Sequence, residues 1–390
     1  MDARSFFRDA HWLTGQRVRG YALLLGLASL ALLANSFVKA MGVDGTDFLA
    51  FWGAGHVTVQ GDSASAYDLA VQQRVQTGTG SEGWFAFVNP PPFLFAAAPF
   101  GALPFPVAWF AWVAITYALW AWAGIRAFPR LWPLVLVYPG ALIAAGHAQT
   151  GLLTGALLVL AAHAFTHRSV WSGAALGALV IKPHLAVLAP FWFAASGRWN
   201  AFIAAGATAV GLILLSWAVF GTETLLAYTT SWEASAALME GINRDFLLRM
   251  TTFYSQTRLL AGDNAAFIAG GLSLALALAA TVLAARRFRG DPSAIAATSL
   301  AATALASHYL FNYDLPFLIY PTLWAVDRGL RNGFRPYEKL ALVALWFAPY
   351  ATRAAALPLG INLMPLAALV LLWLIWSRAA AEHVGTRSAR

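Results

Sequence analysis

Apolar runs of about 15 to 25 residues recur along this 390-residue chain, and no other feature restricts its fold as much. Roughly 20 apolar residues cover the hydrocarbon of a bilayer as a helix, which satisfies every backbone polar group internally where water is absent. The composition agrees: 60% of the residues are hydrophobic and 11% charged, against about 25% charged in a soluble domain. Ten-residue segments alternating between apolar and polar, the mark of a membrane barrel, are absent. The expected fold is all-α, a polytopic transmembrane helix bundle of about 10–12 spans forming one domain over residues 1–390. The spans are predicted near 18–38, 104–126, 131–146, 149–166, 169–182, 184–197, 199–220, 264–285, 293–307, 314–326, 338–352 and 357–377. Two pairs of them, meeting at Lys182-Pro183 and around Tyr309, read as helices that enter and leave the membrane incompletely. No small-residue cleavage site closes the first span neatly, so it reads as an uncleaved anchor.

The net charge of +8 and a pI near 10 raise the question of nucleic acid, and topology answers it. With the N-terminus cytoplasmic, alternating spans leave Lys39, Arg74, Lys182, Arg244, Arg249, Arg258 and Arg353 outside, and the other 18 of the 25 basic residues inside. The acidic residues divide the other way, 11 of 17 lying outside. Positive charge on the cytoplasmic side is what membrane insertion selects, so no nucleic-acid partner is needed. Cysteine is absent, which excludes disulfides and thiolate metal sites. Two outer segments, 39–103 and 221–263, are too long for simple turns and rich in aromatics (Phe48, Phe51, Trp52, Trp84, Phe85, Phe87; Tyr228, Trp232, Phe253, Tyr254). Phe48, Phe51 and Trp52 recur at helical spacing, which predicts a short helix in the membrane interface with its aromatics as an anchoring belt.

An ionisable group at membrane level is expensive, and each one is a candidate site. In "GVDGTDFLAFWGAG" (42–55), Asp44 and Asp47 are three apart and share a face if they sit on one helical turn. Asp47 is open to two readings: a cap for the coming helix, or a carboxylate under aromatic cover with restricted water, as a general base requires. Asp68 in "YDLA" reads as a helix cap, and "FVNPPPF" (87–93) as a rigid geometric turn. "AGHAQTG" (145–151) is an outer turn carrying His147 and Gln149. In "IKPHLA" (181–186), Lys182 and His184 flank a proline. The lysine reads either as snorkelling to the interface or, with His184, as a contact for phosphate or sugar hydroxyls. "SHYLFNYDLPF" (307–317) places His308, Asn312 and Asp314 among aromatics. Arg353, expected in an outer turn, has the planar fork that suits phosphate. All of these fall on the outer side, and there is no G-x-x-x-x-G-K-[ST] or G-x-G-x-x-G to hold a nucleotide. A sugar donor used on that side therefore has to be carried in lipid.

With these motifs in order, the sequence resembles the polytopic GT-C glycosyltransferases, specifically glycosyltransferase family 87, the polyprenol-phosphate-mannose-dependent α-mannosyltransferases. The resemblance rests on "DFLAFWGAG", "YDL", "NPPPF" leading into "APFGALP", "GHAQTGLL", "GALVIKPHLAVL" and "SHYLFNYDLPFL", across about residues 20–320. The chain departs from the family at Asn89, where the family often has Tyr before the double proline. The resemblance implies a GT-C-type fold and a hexosyltransferase, specifically a mannosyltransferase of glycolipid biosynthesis. It implies a polyprenyl-phosphate sugar donor, a glycolipid or glycan acceptor, and an inverting transfer with no metal and no further cofactor. Asp47 falls on the family's catalytic carboxylate and would be the general base; Lys182, His308 and Arg353 would meet the donor phosphate. Asp44, His147, Gln149, His184, Asn312 and Asp314 are the candidates for holding sugar and acceptor. The expected location is the bacterial inner (cytoplasmic) membrane, multi-pass, with the site facing the periplasm or exterior and the isoprenoid tail in a groove open to membrane lipid. The alternatives are a secondary transporter, which would place its ionisable groups at mid-membrane on paired repeats, and a non-catalytic envelope-assembly protein.

Overall fold

A computed structural model describes residues 3–240 and 244–388. Among these the secondary structure is helical, with one isolated antiparallel bridge between Met250 and Phe311. Six helices contain stretches long and apolar enough to cross a membrane unaided: Gly15–Ala40, Phe105–Ala127, Trp199–Glu240, Phe253–Arg287, Glu338–Leu359 and Met364–Ser388. The all-α polytopic bundle is therefore present, and buried apolar residues from Ala22 to Ala379 form one continuous core.

The remaining predicted spans form helices too short to cross a membrane unaided. Gly151–Phe165 and Pro292–Ala306 have 15 residues each, Ile319–Asn332 has 14, Ser169–Gly177 has 9 and Ala189–Ala195 has 7. At 1.5 Å per residue even the longest covers only about 22 Å of a hydrocarbon layer of about 30 Å. Their breaks have local causes. Pro183 has no N–H to continue a helix, and Lys182 before it takes φ −153°. The 131–146 segment splits into Trp132–Leu136 and Pro139–Gly146 at another proline.

The two long helices change direction where the sequence places the ends of spans. Gly221 (φ +81°) interrupts Trp199–Glu240, and Gly262 (φ +80°) interrupts Phe253–Arg287. Both adopt a backbone conformation that only glycine enters without strain. The 221–263 segment is thus mostly helix, including Arg244–Arg249, and not an extended loop.

The 39–103 segment also folds, and one expectation for it is corrected. The helix Phe48–Val59 forms, but Phe48, Phe51 and Trp52 are buried in the protein and do not make an exposed belt. Their rings pack on Phe93, Phe105 and Trp112. Main chains meet directly where this helix crosses Leu94–Gly101: a Cβ on Gly101 would lie 2.1 Å from the Gly55 carbonyl carbon. Close approach of small residues is how helices associate in lipid, where apolar burial alone gives little drive. The glycines of "FWGAG" and "PFGALP" are therefore one contact, reinforced by the Trp52 indole N–H donating to the Leu103 carbonyl at 2.9 Å. Asp68 caps Leu69–Thr77, accepting from the Ala70 and Val71 amides.

At the arginine-rich end, Arg328 bridges Asp291 (2.5 Å) and Glu382 (2.9 Å), and Arg378 pairs with Glu338 (3.2 Å). These contacts clamp the helices Pro292–Ala306, Ile319–Asn332, Glu338–Leu359 and Met364–Ser388 together. The turns that carry the candidate site lie at the other end.

Candidate functional site

Asp47 ends the turn that leads into Phe48–Val59. It stands at the N-cap position, but its side chain makes no capping hydrogen bond, so its carboxylate is directed elsewhere. Gly45, with φ +65°, bends the chain between the two aspartates, so the helical turn expected to align them does not form. Asp44 is exposed, whereas Asp47 is half-buried.

Asp47 is joined to the interior by a chain of hydrogen bonds. Gln149 donates from Nε2 to Asp47 Oδ2 at 2.9 Å, and its own Oε1 accepts from the Thr150 amide at 3.2 Å. Lys182 Nζ donates to Thr150 Oγ1 at 3.3 Å and to Asp314 Oδ1 at 2.5 Å. Asp314 Oδ2 accepts from the Phe311 amide at 3.1 Å. Asp47 Oδ1 takes no hydrogen bond from any described residue, so the carboxylate is held by one oxygen and open at the other.

The backbone explains why these segments meet. A Cβ on Gly151 would lie 1.7 Å from the Tyr313 carbonyl oxygen, so only glycine lets the 307–318 turn sit against the start of Gly151–Phe165. The Asn89 amide donates to the Ile181 carbonyl at 3.3 Å, tying the triple-proline turn beside Lys182, and Tyr67 donates to the Asn89 carbonyl at 3.0 Å. Ala148, buried with φ +46°, carries the "HAQT" turn through a conformation that L-residues rarely adopt, and so sets His147 and Gln149 on either side of it.

The other candidates are placed unequally. His147 lies against the Tyr313 ring, 5.9 Å between centroids, and its carbonyl accepts from the Thr46 hydroxyl at 3.2 Å. His184 faces Tyr309 at 5.7 Å, with its Nε2 buried and unpartnered among the described residues. His308 is not brought into the chain of contacts: it is exposed and stacks on Tyr254 (5.1 Å) beside Gly270. Asn312 is buried and engaged elsewhere, donating to the Pro349 carbonyl and accepting from Asn362, both at 3.0 Å. Arg353 is half-buried within Glu338–Leu359 and not in a turn; the turn comes at Gly360.

Arg249 is the functional candidate that the sequence reading did not single out. Thr251 donates from its amide to the Leu310 carbonyl at 2.8 Å, and Met250 bridges Phe311, which stitches the end of Arg244–Arg249 to the 307–318 turn. That short helix also packs against Glu338–Leu359, the helix of Arg353. Among the described residues neither guanidinium forms an ion pair or hydrogen bond, whereas Lys182 is neutralised by Asp314. Among the described residues no three His, Asp or Glu side chains converge as a metal cage would.

Burial holds the His147 imidazole below its ordinary range, against the pull of Asp47 and with the added push of Arg353 and Arg249. A histidine whose folded value lies below its unfolded one contributes stability in full above the unfolded value of about 6.5. It loses that contribution as pH falls below this point. The thermal midpoint of the purified protein is therefore expected to drop between about pH 7.5 and about pH 5.5, and to drop less in His147→Gln. Equal drops in the two proteins would assign the acid sensitivity to other groups.

An apolar bundle with six helices able to cross a membrane, carrying a hydrogen-bonded polar network among the turns at the end away from the arginine clamp, is an integral membrane protein. The chain belongs to glycosyltransferase family 87, whose family model matches residues 87–310, and is accordingly a membrane glycosyltransferase. The matched stretch holds Asn89, His147, Gln149, Lys182, His184, Arg249 and His308, while Asp47 lies upstream of it and Asp314 and Arg353 beyond it. Neither the curated proteins nor the solved structures contain a match to the chain.

Proposed function

We propose that this glycosyltransferase moves a sugar, mannose by the resemblance, from a polyprenyl-phosphate carrier to a hydroxyl of an envelope glycolipid or glycan on the outer face of the inner membrane. The observation that carries the reading is Asp47: one carboxylate oxygen fixed by Gln149, the other open, at the end of the bundle away from the arginine clamp. In this reading Oδ1 takes the proton of the acceptor hydroxyl as its oxygen attacks the anomeric carbon. The bond to the phosphate breaks on the opposite face, which inverts the centre. The lipid phosphate leaves with the bonding electrons, and its charge calls for nearby cations. Arg249 and Arg353 suit that role because among the described residues neither guanidinium forms an ion pair, and their planar forks match phosphate oxygens. Lys182 and Asp314 serve as the buried support of the Gln149–Thr150 turn. The unpartnered His184 Nε2 is available to a sugar hydroxyl. No step in this scheme draws on a metal or a further cofactor.

Mass spectrometry of envelope glycolipids and polysaccharides, with and without the gene, tests the reaction. The expected result is a truncated glycolipid or glycan lacking one sugar in the deletion strain; an unchanged envelope would remove the proposal. The phosphate assignment has its own test. Arg249→Gln is expected to raise KM for the lipid-linked donor about tenfold or more while leaving KM for the acceptor near its original value. A change confined to the acceptor would move Arg249 to the other substrate.

A further inference from the structure

A second feature lies along the side of the bundle, running away from the Asp47 end. The helix Gly15–Ala40 is mostly exposed along its length, touching the rest of the protein chiefly through 132–146. Between it and Phe105–Ala127 runs a groove of about 1320 Å³, lined by Leu23, Leu27, Leu30, Phe37, Phe110 and Val113 among others. Two of its polar side chains turn to the protein's own backbone: Ser29 donates to the Leu25 carbonyl, and Tyr117 to the Leu136 carbonyl. The walls between the two helices are therefore mainly hydrocarbon.

One mouth is different. Arg19, in the first turns of Gly15–Ala40, and Arg130, in the turn after Phe105–Ala127, both line it, and Trp132 lies beside them. Both arginines are exposed, and neither has an ion-pair or hydrogen-bond partner among the described residues. This contrasts with Arg328 and Arg378, whose charges are met by carboxylates at the same end of the bundle. Two unmatched guanidiniums at the entrance of a largely apolar groove, with an indole among its lining residues, are complementary to one ligand shape: an anionic head joined to hydrocarbon chains.

We infer that the arginine-bearing mouth of this groove is a binding site for an anionic phospholipid, with its phosphate held by Arg19 and Arg130 and its acyl chains lying between Gly15–Ala40 and Phe105–Ala127. From Arg19 to Phe37 the helix rises about 27 Å, close to the hydrocarbon thickness. Acyl chains entering from the arginine mouth occupy the half nearer that leaflet. The lipid then fills the gap that leaves the first helix so thinly packed, and it does so far from the reacting groups. It is a site separate from the proposed donor phosphate site, which lies at the other end.

The test uses the full chain reconstituted in nanodiscs of equal phosphatidylglycerol and phosphatidylcholine, released into detergent and examined by native mass spectrometry. The wild-type protein is expected to retain phosphatidylglycerol over phosphatidylcholine by roughly tenfold or more. Arg19→Gln with Arg130→Gln is expected to bring that ratio near one, and Arg19→Lys with Arg130→Lys to keep most of it. Arg286→Gln with Arg287→Gln removes the same charge from exposed positions away from the groove and should leave the ratio unchanged. Equal retention of the two lipids by wild type, or equal loss in both glutamine pairs, would overturn the site. So would recovery of polyprenyl phosphate in place of phospholipid when the chain is extracted from native membranes.

Discussion

Asp47→Asn is expected to lower sugar transfer by about 100- to 10,000-fold while leaving the protein folded and able to bind the lipid-linked donor. The substitution keeps the size of the side chain and its hydrogen-bonding link to Gln149, which now makes an amide–amide contact in place of 2.9 Å donation to a carboxylate. What it removes is the capacity to accept the acceptor's proton. The informative measurement is transfer by purified protein from a radiolabelled polyprenyl-phosphate sugar, alongside donor binding and the thermal midpoint of the same preparation. Full activity in the variant would end the case for Asp47 as the base. Loss of activity together with loss of fold would transfer the residue to a structural role.

Lys182→Met should cost about 3–5 kcal/mol of stability, because it leaves Asp314 charged and unpaired where its side chain is wholly buried. The pair is short at 2.5 Å, the lysine side chain is 10% exposed and the aspartate 0%. The second variant identifies the cause. Asp314→Asn added to Lys182→Met removes the uncompensated charge and keeps an oxygen for the Phe311 amide, and it is expected to restore a large part of the loss. If the single variant is as stable as wild type, the ammonium is free to serve a substrate and the structural assignment of the pair fails. The activity of the double variant then matters: Thr150 and Gln149 lie between this pair and Asp47, so transfer should fall even when stability returns.

Much of the architecture was legible in the sequence because its causes are local. Long apolar runs announce helices in lipid, Pro183 announces a break, and Asp68 before "LAVQQ" announces a cap. Gly221 and Gly262 fall where the apolar runs end. The chemistry was legible only as separate clusters. His147, Gln149, Lys182 and Asp314 were all marked, yet nothing in a sequence says that Lys182 neutralises Asp314 across 132 positions. In the proposed reaction that pairing leaves the cationic role to other residues. Arg249 entered only as one of the outer basic residues; its significance comes from the Met250–Phe311 bridge, a contact between distant segments. His308 and Asn312 share the motif of Asp314, but their side chains leave it in other directions, one onto Tyr254 and the other to Pro349 and Asn362. The aromatics of Phe48–Val59 were read as facing lipid because period alone cannot separate a membrane-facing stripe from a buried one. Arg353 was placed in a turn because it falls between the predicted spans 338–352 and 357–377, whereas one helix, Glu338–Leu359, runs through it and carries both Pro349 and Pro358.

The half-length helices have a consequence for how substrates reach the chemistry. Gly151–Phe165 and Pro292–Ala306 each fall short of a full crossing by about 8 Å, so in the proposed orientation the turns they support sit in a well sunk below the headgroups. A sugar riding on a membrane lipid arrives at that depth by sideways diffusion alone. An acceptor anchored in the same leaflet does likewise, whereas a freely dissolved one has to shed its water to descend. Depth would then act as a filter, favouring substrates that already belong to the bilayer.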